Sequence, residues 1–196
     1  MSSTSEIPGY GFGKPGTAHS PVFEENLRQL EETVGWSSAD EDVLRRYAAL
    51  FEERAEQMVD AWRAVIGSQP HLAQWFVAPD GRPDDEYKAR VKRRFVQWVV
   101  DVATRPHDRA WLDYQEEIGL RHTPAAKNSA DGSHTPSLVP LRYLLAFIPI
   151  VTNIRGILES GISDRDDLRA VELAWTKAVH LHVVLWTRPY TREGLW

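Results

Sequence analysis

The chain has 196 residues, of which 42% are hydrophobic and 26% are charged, and its formal net charge at pH 7 is −5. This length and composition favour one globular domain with a sizeable core, and the acidic balance argues against general nucleic-acid binding. Because the chain has no cysteine, disulfides, zinc fingers, iron–sulfur clusters, thiolate-ligated haem and cysteine nucleophiles are excluded. A tightly held metal would need histidines, carboxylates or a cofactor with its own ligands.

We find no targeting or membrane-spanning signal in the sequence. No apolar run approaches the roughly 18–20 residues that cross a bilayer. The first six residues lack the basic and apolar regions of a signal peptide. We therefore expect a cytoplasmic protein with no membrane-spanning segment.

The predicted elements begin with an arm. Residues 1–22 contain four Gly and three Pro, so no helix is expected to run through them. Residues 23–34 predict a short helix with apolar positions on one face. Ser38-x-x-Glu41 has the pattern of a capping box, and the helical spacing of apolar residues after it predicts one long helix as far as Gly67.

Further along the chain, Pro70 opens a short helical turn that ends before Pro83. A helix is predicted from Asp84 to about residue 104, and Asp108 caps the next one, which carries His122 near its end. Residues 123–139 form a long polar loop, and an apolar helix follows over 138–158. Ser163-x-x-Asp166 caps the last helix, which ends at 188–189. With no alternating apolar pattern, the sequence predicts a single all-α domain of seven or eight helices.

The seven histidines are the candidate metal ligands. Four lie in polar loops or at helix ends, where solvated or capping roles are expected: His19, His71, His107 and His134. His180 and His182 lie two apart on a helix and point in roughly opposite directions, which disfavours a zinc pair. His122 follows Ile118 by one turn and precedes the long loop. The residues alone leave two roles open for it, a hydrogen-bonded core or capping histidine and a ligand.

Several stretches point to a known family. They are Ile7-Pro-Gly-Tyr10, Gly67-Ser-Gln-Pro-His-Leu72, Pro79-Asp-Gly with Glu86-Tyr87 and Arg94-Phe95, Leu141 to Phe147, Leu185-Trp-x-x-Pro-Tyr190 and, above all, Ala110-Trp-Leu-Asp-Tyr-Gln-Glu-Glu-Ile-Gly-Leu-Arg-His122. Together they resemble the protoglobins, single-domain haem proteins related to the globin domains of globin-coupled sensors. The resemblance implies an all-α, globin-like helical sandwich over residues 23–196, with an N-terminal extension over 1–22 and an extra helix near 23–34.

The resemblance also implies a haem site. The histidine that closes the long block, His122, is the expected proximal ligand, and Thr123 replaces the second histidine that the family usually has there. The expected cofactor is heme b (iron protoporphyrin IX), held without covalent attachment because no C-x-x-C-H motif occurs. The side chains expected to line the haem are those of Trp62, Val91, Phe95, Ile118, Leu144, Phe147 and Val151.

Three residues are considered individually: Arg63 and Pro149, which depart from the family's pattern, and Arg94. Arg63 stands where the family normally has Tyr, so it either turns inward as a charge-assisted donor to the ligand or turns outward and leaves an apolar distal pocket. We favour the outward orientation. In the basic run 88–94, Arg94 is our best candidate for pairing with a haem propionate. Pro149 falls one residue earlier than the family's proline, which shifts the expected kink.

The function that the resemblance implies is reversible binding of O2, CO or NO at ferrous iron, by a homodimer formed through the last two long helices. Two alternatives remain open. One is a haem-based sensor acting through a separate partner, because a chain that ends at Trp196 leaves no room for an output domain. The other is a haem enzyme that handles peroxide, nitrite or reactive nitrogen species, although neither Trp62 nor Arg63 is a good base.

Overall fold

The computed structural model describes residues 6–192 and 194–196, and the regular secondary structure of this part of the chain is helical, joined by turns and loops and with one isolated β-bridge between Val77 and Pro83. Its α-helices are α1 (Glu24–Val34), α2 (Ser38–Arg46), α3 (Ala48–Ser68), α4 (Pro70–Ala73), α5 (Asp85–Thr104), α6 (Arg109–Leu120), α7 (Leu141–Thr152), α8 (Arg155–Leu158) and α9 (Arg165–Thr187). Single 3-10 turns follow α4 and α9 at Gln74–Phe76 and Arg188–Tyr190. Within the described residues no strand forms, so the predicted all-α class is confirmed.

The arm over residues 6–22 runs in turns along α5 and α6. The Tyr10 hydroxyl donates to Asp101 Oδ2 at 2.7 Å, and the Ser20 amide donates to Asp113 Oδ1 at 2.9 Å. The Tyr10 ring also meets Tyr114 edge-on, with 5.3 Å between the ring centroids. These contacts tie the arm to the two helices that precede the long loop.

The prediction of one long helix from residue 38 to 67 is wrong, because the chain bends at Tyr47 between α2 and α3. The Tyr47 hydroxyl donates to Asp167 Oδ2 at 2.5 Å, and Lys177 Nζ lies 2.8 Å from Asp40 Oδ1. Both contacts draw α2 onto α9, which a straight helix could not reach. The predicted capping box is also wrong by one residue. Ser37 rather than Ser38 is the N-cap of α2, and Asp40 accepts from the Ser37 amide at 2.8 Å.

The apolar stretch 138–158 likewise forms two helices, α7 and the single-turn α8. Its window Leu141–Leu158 has a mean hydropathy of 1.4, which is long and apolar enough by composition alone to cross a membrane, contrary to our expectation. In the structure this window is interrupted between α7 and α8, and α7 packs along α9. The last helix is capped by Asp164 rather than Ser163, because Asp164 accepts from the amides of residues 166 and 167.

Helix α9 is the central element of the core. It packs against α2, α6 and α7, while α3 packs against α5. Four indole rings meet where these layers join, and they belong to Trp62, Trp98, Trp175 and Trp186. Such aromatic contacts bury much apolar area, so the high tryptophan content is largely explained by the core.

A close helix crossing occurs at Gly119, in the last turn of α6. A Cβ at this position would lie 3.1 Å from Trp186 Cα and 3.1 Å from Pro189 Cγ. Only glycine lets the two backbones approach so closely. The crossing holds the end of α6 against the end of α9.

We expect Gly119→Ala to lower the free energy of unfolding by about 1–3 kcal/mol, because the added methyl overpacks this crossing. Gly67→Ala is the matched control, since a Cβ at Gly67 meets nothing within 4 Å and alanine favours a helix. Urea unfolding followed by circular dichroism measures both. Equal stability of the two variants would contradict the tight crossing.

Candidate functional site

His122 lies just beyond the last residue of α6. Its amide donates to Gly119 O at 3.1 Å, and its ring Nδ1 lies 2.8 Å from Ile118 O. A carbonyl only accepts, so the proton of the neutral ring is on Nδ1 and the lone pair is on Nε2. This is the arrangement in which a histidine can ligate a metal through Nε2 while the other nitrogen fixes the ring orientation.

Backbone and ring contacts hold His122 in place. Its carbonyl accepts from the Val139 amide at 2.9 Å. The Tyr190 hydroxyl lies 2.6 Å from Val139 O and 3.1 Å from His122 O. On one face the imidazole stacks on Trp186, with centroids 6.0 Å apart and an angle of 24° between the rings. The start of the long loop and its last residues are thus joined beside the histidine.

The His122 ring is neutral at physiological pH. Its pKa is lowered to about 4, chiefly by burial and also by the nearby positive charges of Lys127 and Arg121, against the opposing hydrogen bond to Ile118. Part of the side-chain surface nevertheless remains accessible. A neutral imidazole is the form that binds a metal ion, so no proton has to be displaced from Nε2 before ligation.

Most of the apolar residues expected around a haem belong to one cluster. Trp62 and Val151 are buried in it, and four others are partly buried against it: Phe95, Ile118, Leu144 and Phe147. The rings of Trp62 and Phe95 have centroids 5.2 Å apart. Val91 is partly buried one turn before Phe95 on α5. The structure therefore brings residues of α3, α5, α6 and α7 to the same apolar region.

Arg63 is directed away from this cluster. One terminal nitrogen of its guanidinium lies 3.5 Å from Lys88 O, and the other lies 3.9 Å from Asp60 Oδ1. Asp60 is half exposed, so the guanidinium has partners near the surface, and its outward orientation relative to a haem stays a prediction. By contrast, the indole Nε1 of Trp62 is buried and has no hydrogen-bond partner among the described residues.

Arg94 has partners that the sequence did not indicate. Its terminal nitrogens donate to both carboxylate oxygens of Asp131 at 2.9 and 2.6 Å, and one also donates to Pro8 O at 2.9 Å. The Asp131 side chain is only 2% exposed. The charge of Arg94 is therefore neutralised by the long loop, and the predicted pairing with a propionate stays untested.

Lys127 is a buried residue of the long loop that sequence reasoning missed. It is 4% exposed, and its Nζ donates to Trp75 O at 3.0 Å and to Thr135 Oγ1 at 2.8 Å. Burial lowers its pKa to about 8. A lone lysine in a polar loop normally extends into solvent, so nothing in the local sequence marks this one.

Comparisons with known proteins identify the family and the fold. The protoglobin family model matches residues 23–196. The chain belongs to the protoglobin family. Among solved structures, the globin domain of the Geobacter sulfurreducens globin-coupled sensor is similar, with 14% identity and a TM-score of 0.66 over 84% of this chain and 97% of that one. No curated protein matches the sequence.

A protoglobin is a haem globin, and the residues present fit that cofactor. A haem presents a large apolar macrocycle, which suits the cluster of apolar side chains around Trp62 and Phe95. Its iron needs an axial ligand, and the His122 imidazole is neutral and has a lone pair on Nε2 that could serve as one. Both requirements are met by side chains of the same region.

His182 lies beside Trp186, and its pKa reports how completely this region is shielded from water. Burial lowers its pKa to about 3, below the unfolded value of about 6.5. The unfolded chain therefore binds a proton that the folded protein excludes, and the associated stability is complete above about pH 6.5 and is lost as the pH falls toward 3.

We expect His182→Asn to make the free energy of unfolding less dependent on pH between about 6.5 and 4, by up to about 1.4 kcal/mol per pH unit. The asparagine amide can still donate to the carbonyl of residue 178, which His182 Nδ1 contacts. Urea unfolding at several pH values measures the slope. His180→Asn is the control and should leave it unchanged, because His180 is exposed; an unaltered slope in His182→Asn would contradict the lowered pKa.

Proposed function

We propose that this protein reversibly binds O2, CO or NO at the ferrous iron of a heme b that His122 ligates. The observation that carries the proposal is the hydrogen bond from His122 Nδ1 to Ile118 O, which leaves Nε2 free beside an apolar cluster in a chain of the protoglobin family. When bound, the cofactor supplies a ferrous iron for the gas. The protein supplies the ligand, the orientation of that ligand and the exclusion of water.

On the His122 side, three groups fix the imidazole. The Ile118 carbonyl accepts its Nδ1 proton, which makes Nε2 more basic toward iron. Trp186 limits rotation of the ring by stacking on it. The Tyr190 hydroxyl holds the His122 and Val139 carbonyls together, so the loop cannot pull the ligand away without breaking this contact.

On the gas-binding side, we assign the hydrogen-bond donor to Trp62 rather than Arg63. An unpaired buried donor is costly, and the indole Nε1 protons of Trp62, Trp75 and Trp98 are all buried without an acceptor among the described residues. Of these, Trp62 is the one that the resemblance places on the gas-binding side. A bound O2 would accept from it. The Arg63 guanidinium contacts Lys88 O and approaches Asp60. Its hydrogen-bonding groups therefore have partners other than a bound gas. The arrangement provides no acid–base pair of the kind that peroxide chemistry requires, which favours gas binding over an enzyme.

The first test is an absorption spectrum of the haem-loaded protein in its ferric, ferrous and ferrous–CO states. We expect wild type to show a Soret band and a CO adduct typical of histidine ligation. His122→Gly should lose these features and regain them when imidazole is added, because imidazole can fill the space that the side chain leaves.

His180→Gly is the control, since His180 is an exposed histidine whose Nδ1 also contacts a backbone carbonyl. It should keep the wild-type spectrum. Failure of wild type to take up haem, or an unchanged spectrum in His122→Gly, would overturn the proposed function.

The assignment of Trp62 is tested by the rate of O2 dissociation. Trp62→Phe should speed dissociation about fivefold, which corresponds to the roughly 1 kcal/mol of one hydrogen bond. Arg63→Ala should change the rate by less than about twofold, because its contacts lie near the surface. Stopped-flow replacement of O2 by CO gives both rates. A large effect of Arg63→Ala with none from Trp62→Phe would place the donor on Arg63 instead.

We also propose a homodimer formed through α7 and α9, as the resemblance implies. Leu145 on α7 is 46% exposed and Leu173 on α9 is 54% exposed, and exposed leucines on adjacent helices are suited to burial by a second copy. Analytical ultracentrifugation measures the mass directly, and a monomer at micromolar concentration would exclude the dimer. A sensor role remains the second candidate, but no contact of the described residues favours it.

A further inference from the structure

Lys127 carries a buried positive charge that no carboxylate of the described residues neutralises. Its Nζ contacts a carbonyl and a hydroxyl, both uncharged, and burial is the one cause that shifts its pKa. Other poorly exposed cations of this protein have acidic partners, namely Arg94 with Asp131, Arg121 with Glu117, Arg188 with Glu116 and Lys177 with Asp40. An unpaired buried charge is costly, so this lysine is the exception that needs an explanation.

The position of Lys127 places it beside the candidate haem site. It lies in the loop that begins directly after His122, and its charge is near enough to lower the pKa of His122. Its Nζ also lies 5.1 Å from the ring centroid of Tyr87, in the first turn of α5. Lys127 thus stands where the loop, α5 and the 3-10 turn at Trp75 meet.

We propose that Lys127 is the counter-ion of a haem propionate. This inference rests on the proposed function, because it requires a bound haem. The propionates are the only anionic side groups of that cofactor, so they are the groups that a buried ammonium would pair with. An ammonium has three protons, and two of them are held by Trp75 O and Thr135 Oγ1. The third is available to a carboxylate, which would neutralise the buried charge and form a charge-assisted hydrogen bond.

The alternative explanation is that Lys127 only joins the loop to the turn at Trp75. The two roles differ in one measurable respect. A counter-ion senses the charge of the propionates, whereas a structural clamp does not. The dimethyl ester of haem lacks the propionate charges and carries two added methyl groups. A double-mutant cycle with Lys127→Met cancels the effect of the methyl groups, because they are present in both protein variants.

The experiment measures the rate at which each cofactor leaves the protein for an excess of apomyoglobin. In wild type the ester should leave about tenfold faster than haem, since it lacks the charge-assisted contact. In Lys127→Met, haem and its ester should leave at nearly the same rate. Lys177→Met is the matched control, because Lys177 pairs with Asp40 near α2, and it should keep the tenfold difference.

The outcomes separate this inference from the proposed function. If wild type binds no haem, the proposed function fails. If wild type binds haem and Lys127→Met retains the full difference between haem and its ester, the counter-ion role is wrong and Lys127 is a structural clamp.

If Lys127→Met does not fold, a measurement on wild type tests the counter-ion role instead. The chain has five lysines, Lys14, Lys88, Lys92, Lys127 and Lys177, so nuclear magnetic resonance of protein with 13C at lysine Cε gives few signals. The pKa of Lys127 should rise when ferrous–CO haem binds and should not rise with the CO form of the ester. Equal pKa values in the two complexes would overturn the proposal.

Discussion

The close contact between α6 and α9 at Gly119 is the constraint on which the position of His122 depends. A Cβ there would lie only 3.1 Å from atoms of Trp186 and Pro189, so the end of α6 packs closely against the end of α9. His122 follows three residues later and its amide bonds back to Gly119. The same end of α9 supplies Trp186, which stacks on the imidazole. A metal ligand needs a defined orientation, and here that orientation comes from backbone packing.

The long loop after His122 is shaped by buried charges rather than by apolar side chains. Asp131 is held by Arg94, which also holds the carbonyl of Pro8 in the N-terminal arm. Lys127 is held by the uncharged groups of Trp75 and Thr135. The charge of Asp131 is thus neutralised by Arg94, whereas the charge of Lys127 has no acidic partner among the described residues. Counted together with Arg94 of α5, the buried charges of this loop sum to +1, and a net positive charge beside an apolar site favours a ligand that is mainly apolar with an acidic edge.

Local signals in the sequence predicted some elements well and others poorly. Helices α5 and α6 begin where Asp84 and Asp108 cap them, and both caps form within three residues of sequence. The bend at Tyr47 was missed because its causes are distant, a hydroxyl contact with Asp167 and a neighbouring ion pair to α9. At the site, the resemblance supplied His122 and the apolar lining. The partners of Arg94 and Lys127 depend on how the loop folds, which spacing cannot show.

Arg63 stands at the position where the resemblance to protoglobins leads us to expect a tyrosine. A tyrosine can place its hydroxyl in an apolar pocket at modest cost, whereas a guanidinium there would need a buried anion. The structure avoids that cost, because Arg63 contacts Lys88 O and approaches the half-exposed Asp60. Under the proposed function, the unpaired buried indole N–H of Trp62 is then our candidate donor to the gas, although the Trp98 indole in the same cluster is likewise unpaired among the described residues. An indole donates but cannot accept or release a proton at neutral pH. A site with this donor can therefore stabilise a bound gas without promoting proton transfer to it, which separates ligand binding from oxygen chemistry.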